Sequence, residues 1–552
     1  MDREFWRDKF PASVPFDIDT RKYQSVLDLF DESVKRYAKR PAYSNMGHTL
    51  SYADLDRESA AFAAWLQQHT DLQAGDRIAV QMPNVLQYPV VVFGALRAGL
   101  IVVNTNPLYT EREMVHQFND SGAKALVSFA NVGHLVEKVL PQTSVRHVIM
   151  TELGDLLPWP RRLLVNAVVK HVKKMVPPYH MPKAHKLRDV LAGGRRLKLK
   201  AHRAASDDVA ILQYTGGTTG VAKGAMLTHA NLVANLMQMR VQLSHFNPGE
   251  EVMIAPLPLY HIFAFTVCCL GMMEIGCHSV LITNPRDLPA FVKELSQYKF
   301  TAFAGLNTLF VALLNNAAFR QLDFSSLKLT VAGGMALTHK AAEEWESVTG
   351  CRICEGFGMT ETSPVISMNP FDAIQLGTIG LPVSNTAIKI VSDDGQEMAV
   401  GEAGEICVQG PQVMKGYWQR PEATAETIDS DGWLHTGDIG IIQADGYLRI
   451  VDRKKDMILV SGFNVYPNEI EDVVATHPGV LESAAVGVQD AKSGEAVKLF
   501  VVRKDPRLTE AELLEHCRAN LTGYKVPRSI VFRDALPKSP VGKILRRELR
   551  DQ

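Results

Sequence analysis

Residues 209–236 read VAILQYTGGTTGVAKGAMLTHANLVANL. The stretch begins as an apolar strand over 209–213 and breaks into a turn of glycine and threonine. It resumes as a helix that opens at Thr228 and runs through Leu232 and Leu236. A strand, a turn and a helix in that order form one step of an α/β layer. The same rhythm extends in both directions. Strand-like runs at 77–80, 125–127 and 147–150 alternate with helical stretches, one of them over 86–98 with Pro89 tolerated in its first turn. Further runs follow at 251–254, 279–282 and 329–332. The pattern predicts an α/β fold, with a large N-terminal body of mostly parallel α/β layers.

The turn itself has unusual chemistry. Between Tyr214 and Gly224 lie Thr215, Gly216, Gly217, Thr218, Thr219, Gly220 and Lys223. The glycines let the backbone turn tightly and aim N–H groups inward, the threonines add hydroxyl donors, and Lys223 adds a compact positive charge. Holding a polyphosphate requires that combination. No Gly-Lys-Ser/Thr follows at the Walker spacing, so a P-loop ATPase is disfavoured.

The last hundred residues read differently. Short strands flank the charged turn 452–456, a helix begins at Pro467, a favoured first-turn residue, and Thr509 and Glu512 stand at capping-box spacing. This predicts a small mobile α+β C-terminal domain over 453–552, following a body over 1–452.

Composition bounds the function. Fifty-nine Lys and Arg against 60 Asp and Glu give a net charge of −1, too balanced for a protein that mainly coats nucleic acid. Seven cysteines without framework spacing fit a reducing compartment; Cys351 and Cys354 have half the spacing of a metal or redox site, but no second pair accompanies them. The N-terminus is charged from its second residue, unlike a secretory signal. The most apolar run, 262–273, falls short of the roughly 20 residues a membrane span needs. A cytoplasmic protein is expected. The balance hides an asymmetry, because residues 161–203 hold 13 Lys and Arg against the single acid Asp189. Within them Leu164, Val168, Val172 and Val176 recur every four residues, Trp159 precedes and Pro177-Pro178 follows. That is a basic amphipathic helix, able either to lie on the inner face of an anionic membrane through 159–203 or to pack its stripe on the body.

With the phosphate-type turn come, in order, Pro258-Leu-Tyr-His261, Glu355-Gly-Phe-Gly-Met-Thr-Glu361, Gly416-Tyr-Trp418, Trp433-Leu-His-Thr-Gly-Asp438, Asp452-Arg453, Ser461-Gly-Phe-Asn-Val-Tyr466 and Pro537-Lys-Ser-Pro-Val-Gly-Lys543. Over nearly the whole chain this set resembles the acyl-adenylate-forming (AMP-binding) superfamily, and within it the bacterial long-chain fatty acid–CoA ligases. The resemblance implies activation of a fatty acid by ATP to acyl-AMP with release of pyrophosphate, then transfer to CoA. It assigns Thr215, Gly216, Gly217, Thr218, Thr219, Gly220 and Lys223 to the ATP phosphates, and Thr215 with Glu361 to Mg²⁺. Glu355, Gly356, Phe357 and Thr360 would hold adenine; Asp438 and Arg453 the ribose. Lys543 would bridge the substrate carboxylate and the α-phosphate, and Asp452 would be the hinge of the small domain. Gly462, Phe463 and Tyr466 would line the CoA path. His261 is implied near the acyl carboxylate, with a structural histidine as the other reading. Gly216, Ala222 and Phe357 depart from the family's frequent Ser, Pro and Tyr without removing a ligand.

Small residues at Gly305, Ala332, Gly333, Gly334 and Gly358 could leave an open acyl tunnel. The motifs are shared with medium-chain and aryl-acid (4-coumarate-type) CoA ligases; a catalytically inactive membrane-associated binding protein is the alternative from another class. Some members of the superfamily are dimers, and no feature here forces or forbids a homodimer.

Overall fold

A computed structural model describes residues 3–215, 222–461, 463–490, 493–539 and 542–550. Gly216, Gly217, Thr218, Thr219, Gly220 and Gly462 lie outside the described residues. Two sheets dominate the body. In the seven-stranded one, Val209–Thr215 runs parallel to Ile101–Thr105 and antiparallel to Lys223–Thr228, and the other neighbours are parallel. In the nine-stranded one, the neighbours from Pro41–Asn45 to Ile353–Gly358 are parallel, with antiparallel strands at both edges. Helices cover these sheets, and buried Val, Ile, Leu, Phe and Ala side chains fill the layers between. Thr228 caps the helix His229–Arg240 as read, with Asn231 completing the reciprocal pair of bonds.

The body also holds a feature the parallel reading lacks. Ala387–Val391, Gly404–Gln409, Leu434–Ile442 and Leu448–Arg453 form a four-stranded antiparallel sheet. The strand at 448 therefore belongs to the body, whereas Ile458–Val460 belongs to the small domain's sheet. The two flank a charged turn and join different sheets.

The small domain packs a five-stranded sheet against helices Pro467–Ala475 and Glu510–Asn520 around its own core, which includes Val465, Ile470, Leu499 and Leu513. Pro467 stands in the first turn, and Thr509 with Glu512 forms the capping box. All seven cysteines are free and buried; Cys354 lies in a strand and Cys351 just before it.

The basic segment folds as an α-helix, Arg161–Ala167, running into a π-turn, Val168–Val172. The four-residue stripe is not the buried face: Val169 is the buried residue, while Leu164, ahead of the π-turn, and Val172 within it are 65% and 73% exposed. Trp159, Leu163 and Met175 are exposed beside them. Among the described residues no helix is long and apolar enough to cross a membrane.

Candidate active site

One cavity of about 2070 Å³ lies between the body and the small domain and reaches into the body. The ends of the parallel strands open onto it, the usual ligand position in α/β sheets. Thr215, last of its strand, and Lys223, first of the returning strand, are register partners at its edge.

The Gly416-Tyr-Trp segment is laid along the returning strand. Met226 N–H donates to the Gly416 carbonyl at 2.9 Å and Trp418 N–H to that of Gly224 at 2.8 Å. That pairing holds Tyr417 over two candidate ligands. Its ring centroid is 4.6 Å from Lys223 Nζ, and its hydroxyl donates to Glu361 Oε1 at 2.6 Å. Glu361 sits in the 3₁₀ turn Thr360–Thr362 and is buried. Burial pushes its carboxyl upward; the Tyr417 bond and the charges of Arg453 and Lys223 oppose that. A buried carboxylate lining the same cavity as Thr215 and Lys223 suits Mg²⁺, which is typically held by one or two carboxylates plus substrate phosphates. The sequence contained Tyr417 within a quoted motif but gave no reason to pair it with Glu361, 56 residues away.

Glu355, Gly356 and Phe357 follow one another on the strand Ile353–Gly358, and with Thr360 they line the cavity. Glu355 accepts from Leu337 N–H at 3.3 Å, and burial pushes its carboxyl up to about 8, so it is protonated at neutral pH. Asp438 and Arg453 are cross-strand partners in the antiparallel sheet, Nε to Oδ1 3.1 Å. Burial raises the Asp438 carboxyl, and Arg453 and then Lys543 pull it back.

Lys543 arrives from the other domain. It lies against Gly334, where an added Cβ would stand 3.3 Å from its Cε. The Thr308 hydroxyl donates to the Gly542 carbonyl at 3.1 Å, anchoring the loop to the body. Burial, with Arg453 adding repulsion and Asp438 resisting, pulls the ammonium down to about 8. His261 is in the same cavity; burial, reinforced by Lys543, lowers its imidazole to about 3, so it is neutral. Its Nδ1 accepts from Phe263 N–H at 3.3 Å, which makes it a helix cap as well as a lining residue.

Asp452 is fully buried and accepts the backbone N–H groups of Arg453 at 2.7 Å and Asn468 at 2.9 Å. Tyr466 lines the cavity, but Phe463 does not: it is exposed and stacks on Tyr524 at 4.7 Å. The small residues divide likewise. Ala332, Gly333, Gly334 and Gly358 border the cavity, whereas Gly305 closes on Phe310, 2.8 Å from where a Cβ would stand.

Behind His261 the lining turns apolar. Met239 and Leu243, one turn apart, approach Val267 and Gly271 of the π-helix Phe265–Gly271. These four residues belong to none of the sequence motifs, and in the sequence they look like ordinary core.

The chain matches the model of the AMP-binding enzyme family over residues 30–418 and that of its C-terminal domain over 469–543. It is 57% identical to a long-chain-fatty-acid–CoA ligase of Escherichia coli O157:H7, over 100% of this chain and 98% of that protein. The anthranilate CoA ligase AuaEII, solved with anthranoyl-AMP, superposes with TM-score 0.86 at 24% identity, covering 97% of this chain and 98% of that one. ATP-bound MatB from Rhodopseudomonas palustris gives 0.81 at 28% identity, covering 95% and 98%.

Proposed function

The chain belongs to the AMP-binding enzyme family, and on that footing we propose that it joins a long-chain fatty acid to CoA in two steps within this cavity. In the first, a carboxylate oxygen bonds to the α-phosphorus of ATP as the bond to the β-phosphate breaks, giving acyl-AMP and pyrophosphate. In the second, the CoA sulfur bonds to the acyl carbon, its proton is lost and AMP leaves. The observation that carries the reading is the meeting, in one cavity, of the Lys223, Glu361, Asp438 and Lys543 polar cluster with the apolar Met239–Gly271 chamber.

Both anionic partners of the first step need concentrated positive charge. Lys543 supplies it between the substrate carboxylate and the α-phosphate, and Lys223 and the adjoining turn hold the outer phosphates. Thr215 and Glu361 would hold Mg²⁺, whose charge offsets that of the phosphates. Asp438 accepts the ribose hydroxyls, Arg453 holds Asp438 in place, and Phe357 offers a face to adenine while Glu355, Gly356 and Thr360 frame it. His261, being neutral, can approach the acyl carboxylate without competing with Lys543 for charge.

The domain boundary falls at 452/453, with Asp452 as hinge. The orientation described suits the first step, with Lys543 in the cavity and Phe463 turned to solvent. Rotation about Asp452 exchanges them, bringing Phe463 and Tyr466, with Gly462, to the CoA path. An Asp452→Pro variant should accordingly lose thioester formation more than adenylation, and intact thioester formation would refute the hinge.

Pyrophosphate release across C2 to C18 acids and aromatic acids, followed by thioester formation with CoA, tests the whole reading. The best turnover is expected with C14 to C18 acids. Best turnover with an aromatic acid would make this a 4-coumarate-type ligase, and no turnover with any acid would make it a binding protein.

The segment 159–203 contacts an anionic membrane from which the fatty acid is drawn. Exposed Trp159, Leu163, Leu164, Val172 and Met175 beside a surplus of cations support this. Co-sedimentation with phosphatidylglycerol vesicles should fall when Lys170, Lys173 and Lys174 become Glu; unchanged binding would rule the patch out.

A further inference from the structure

Three residues after Lys543, and outside every motif assigned a role above, stands Arg546, the first residue of the short helix Arg546–Arg550. Its guanidinium is spent inward. Nη2 donates to Asn468 Oδ1 at 2.7 Å and to Glu471 Oε2 at 2.8 Å, and Nε donates to Glu471 Oε1 at 3.1 Å. Nη1 lies 3.6 Å from both Asp452 Oδ1 and Asp456 Oδ2. A two-pronged bond to one carboxylate, with two more carboxylates at the third nitrogen, fixes the guanidinium plane as well as its position.

The clamp joins three parts of the chain. Asp452 is the penultimate residue of the body's strand Leu448–Arg453. Asn468 and Glu471 belong to the helix Pro467–Ala475, and Asn468 also donates its backbone N–H to Asp452. Arg546 itself continues the loop that carries Lys543. The loop is closed locally, with Ser539 N–H donating to the Lys543 carbonyl at 2.7 Å and the Lys543 N–H donating to Ser539 Oγ at 3.1 Å. Those bonds shape the loop, but Arg546 is what ties it to the hinge. Three residues of chain span at most about 10 Å, so fixing Arg546 confines the stem of Lys543.

We propose that Arg546 is a positioning residue for the first half-reaction, holding the Lys543 loop in the cavity by clamping it to Glu471, Asn468 and the hinge carboxylate of Asp452. The inference rests on the reading of Lys543 as the lysine that bridges the carboxylate and the α-phosphate. A loosened loop leaves ATP binding intact and misplaces one charge at the reacting centre, and a misplacement of about 1 Å can cost on the order of a hundredfold. The second half-reaction does not use Lys543 and is insensitive to the clamp.

The test measures pyrophosphate release from acid and ATP, and separately thioester formation from supplied acyl-AMP and CoA, in Arg546→Ala, Arg546→Lys, Glu471→Gln and Lys543→Ala. Arg546→Ala should lower kcat for pyrophosphate release by roughly thirtyfold or more, with the KM for ATP and the thioester step each within about threefold. Arg546→Lys should recover part of the loss, because it restores charge without the fork. Glu471→Gln, nearly the same shape and at the other end of the clamp, should show the same split more weakly, and it carries the test if Arg546→Ala fails to fold. Equal loss in both half-reactions would mean a merely structural arginine and would overturn the proposal, as would undiminished pyrophosphate release in Arg546→Ala. If Lys543→Ala loses the first step while the clamp variants are normal, only this inference fails. If Lys543→Ala keeps full adenylation, the reading beneath it fails.

Discussion

Raising the pH from 7 to 9.5 should suppress the first half-reaction and leave the second untouched or faster. The cause is Lys543, whose ammonium is pulled down to about 8 by burial and by Arg453. The charged form does the work, so activity is full below that value and is lost as pH rises through it. With that midpoint, the charged fraction falls from about 0.9 at pH 7 to about 0.03 at pH 9.5, roughly a thirtyfold drop. The profile of kcat/KM for pyrophosphate release reports the free enzyme and should show this limb directly. In the kcat profile the limb should lie higher, because bound ATP adds negative charge beside the lysine. Thioester formation from supplied acyl-AMP should rise over the same range, as a thiol of ordinary pKa near 8.5 ionises. Lys543→Arg, whose residual activity carries a charge that does not titrate here, should lose the alkaline limb. A flat adenylation profile to pH 9.5, or parallel decline of both half-reactions, would refute the reasoning.

Two further outcomes follow from single contacts. Tyr417→Phe removes the 2.6 Å donor to buried Glu361, a charge-assisted bond worth about 1.5–3 kcal/mol, so the carboxyl should rise further and the Mg²⁺ needed for half-maximal pyrophosphate release should increase on the order of tenfold or more. The loss should shrink as pH is raised, and a Mg²⁺ requirement unchanged from the parent would contradict it. Gly271→Val narrows the apolar part of the cavity: Gly271 has helical φ and ψ of −62° and −41°, and an added Cβ would stand 3.2 Å from the Thr266 carbonyl oxygen and 3.7 Å from Met239 Cε. Excluding about three methylenes at about 0.8 kcal/mol each should cut the advantage of C16 over C8 to C10 acids by on the order of fiftyfold, and an unchanged chain-length profile would show that the acyl tail lies elsewhere.

Local rules carried much of the fold into view. Pro467 and Thr509 mark their helices where helix-terminus chemistry says they should, and the strand read from residue 209 is there, over Val209–Thr215. The site's polar members were legible because each sits in a short motif on a strand end or turn. What escaped is long-range or breaks a period. The four-stranded antiparallel sheet went unread, although the alternation of buried Ile388 and Ile390 about Lys389 is a period-two signal that could have identified its first strand. The Tyr417–Glu361 and Arg546–Asp452 contacts join residues 56 and 94 positions apart, and no periodicity encodes them. Of the two placements open to the basic helix, packing of its stripe on the body is not what forms: Leu164 in the α-helix and Val172 in the π-turn are both exposed, and Val169, off the stripe, is the buried residue.

The central claim is that one cavity serves two half-reactions and that Lys543 serves only the first. Measuring both in Lys543→Ala tests it most directly. Acyl-AMP formation should be nearly abolished, while thioester formation from supplied acyl-AMP and CoA stays close to that of the parent enzyme. Loss of both steps to the same degree would contradict the account.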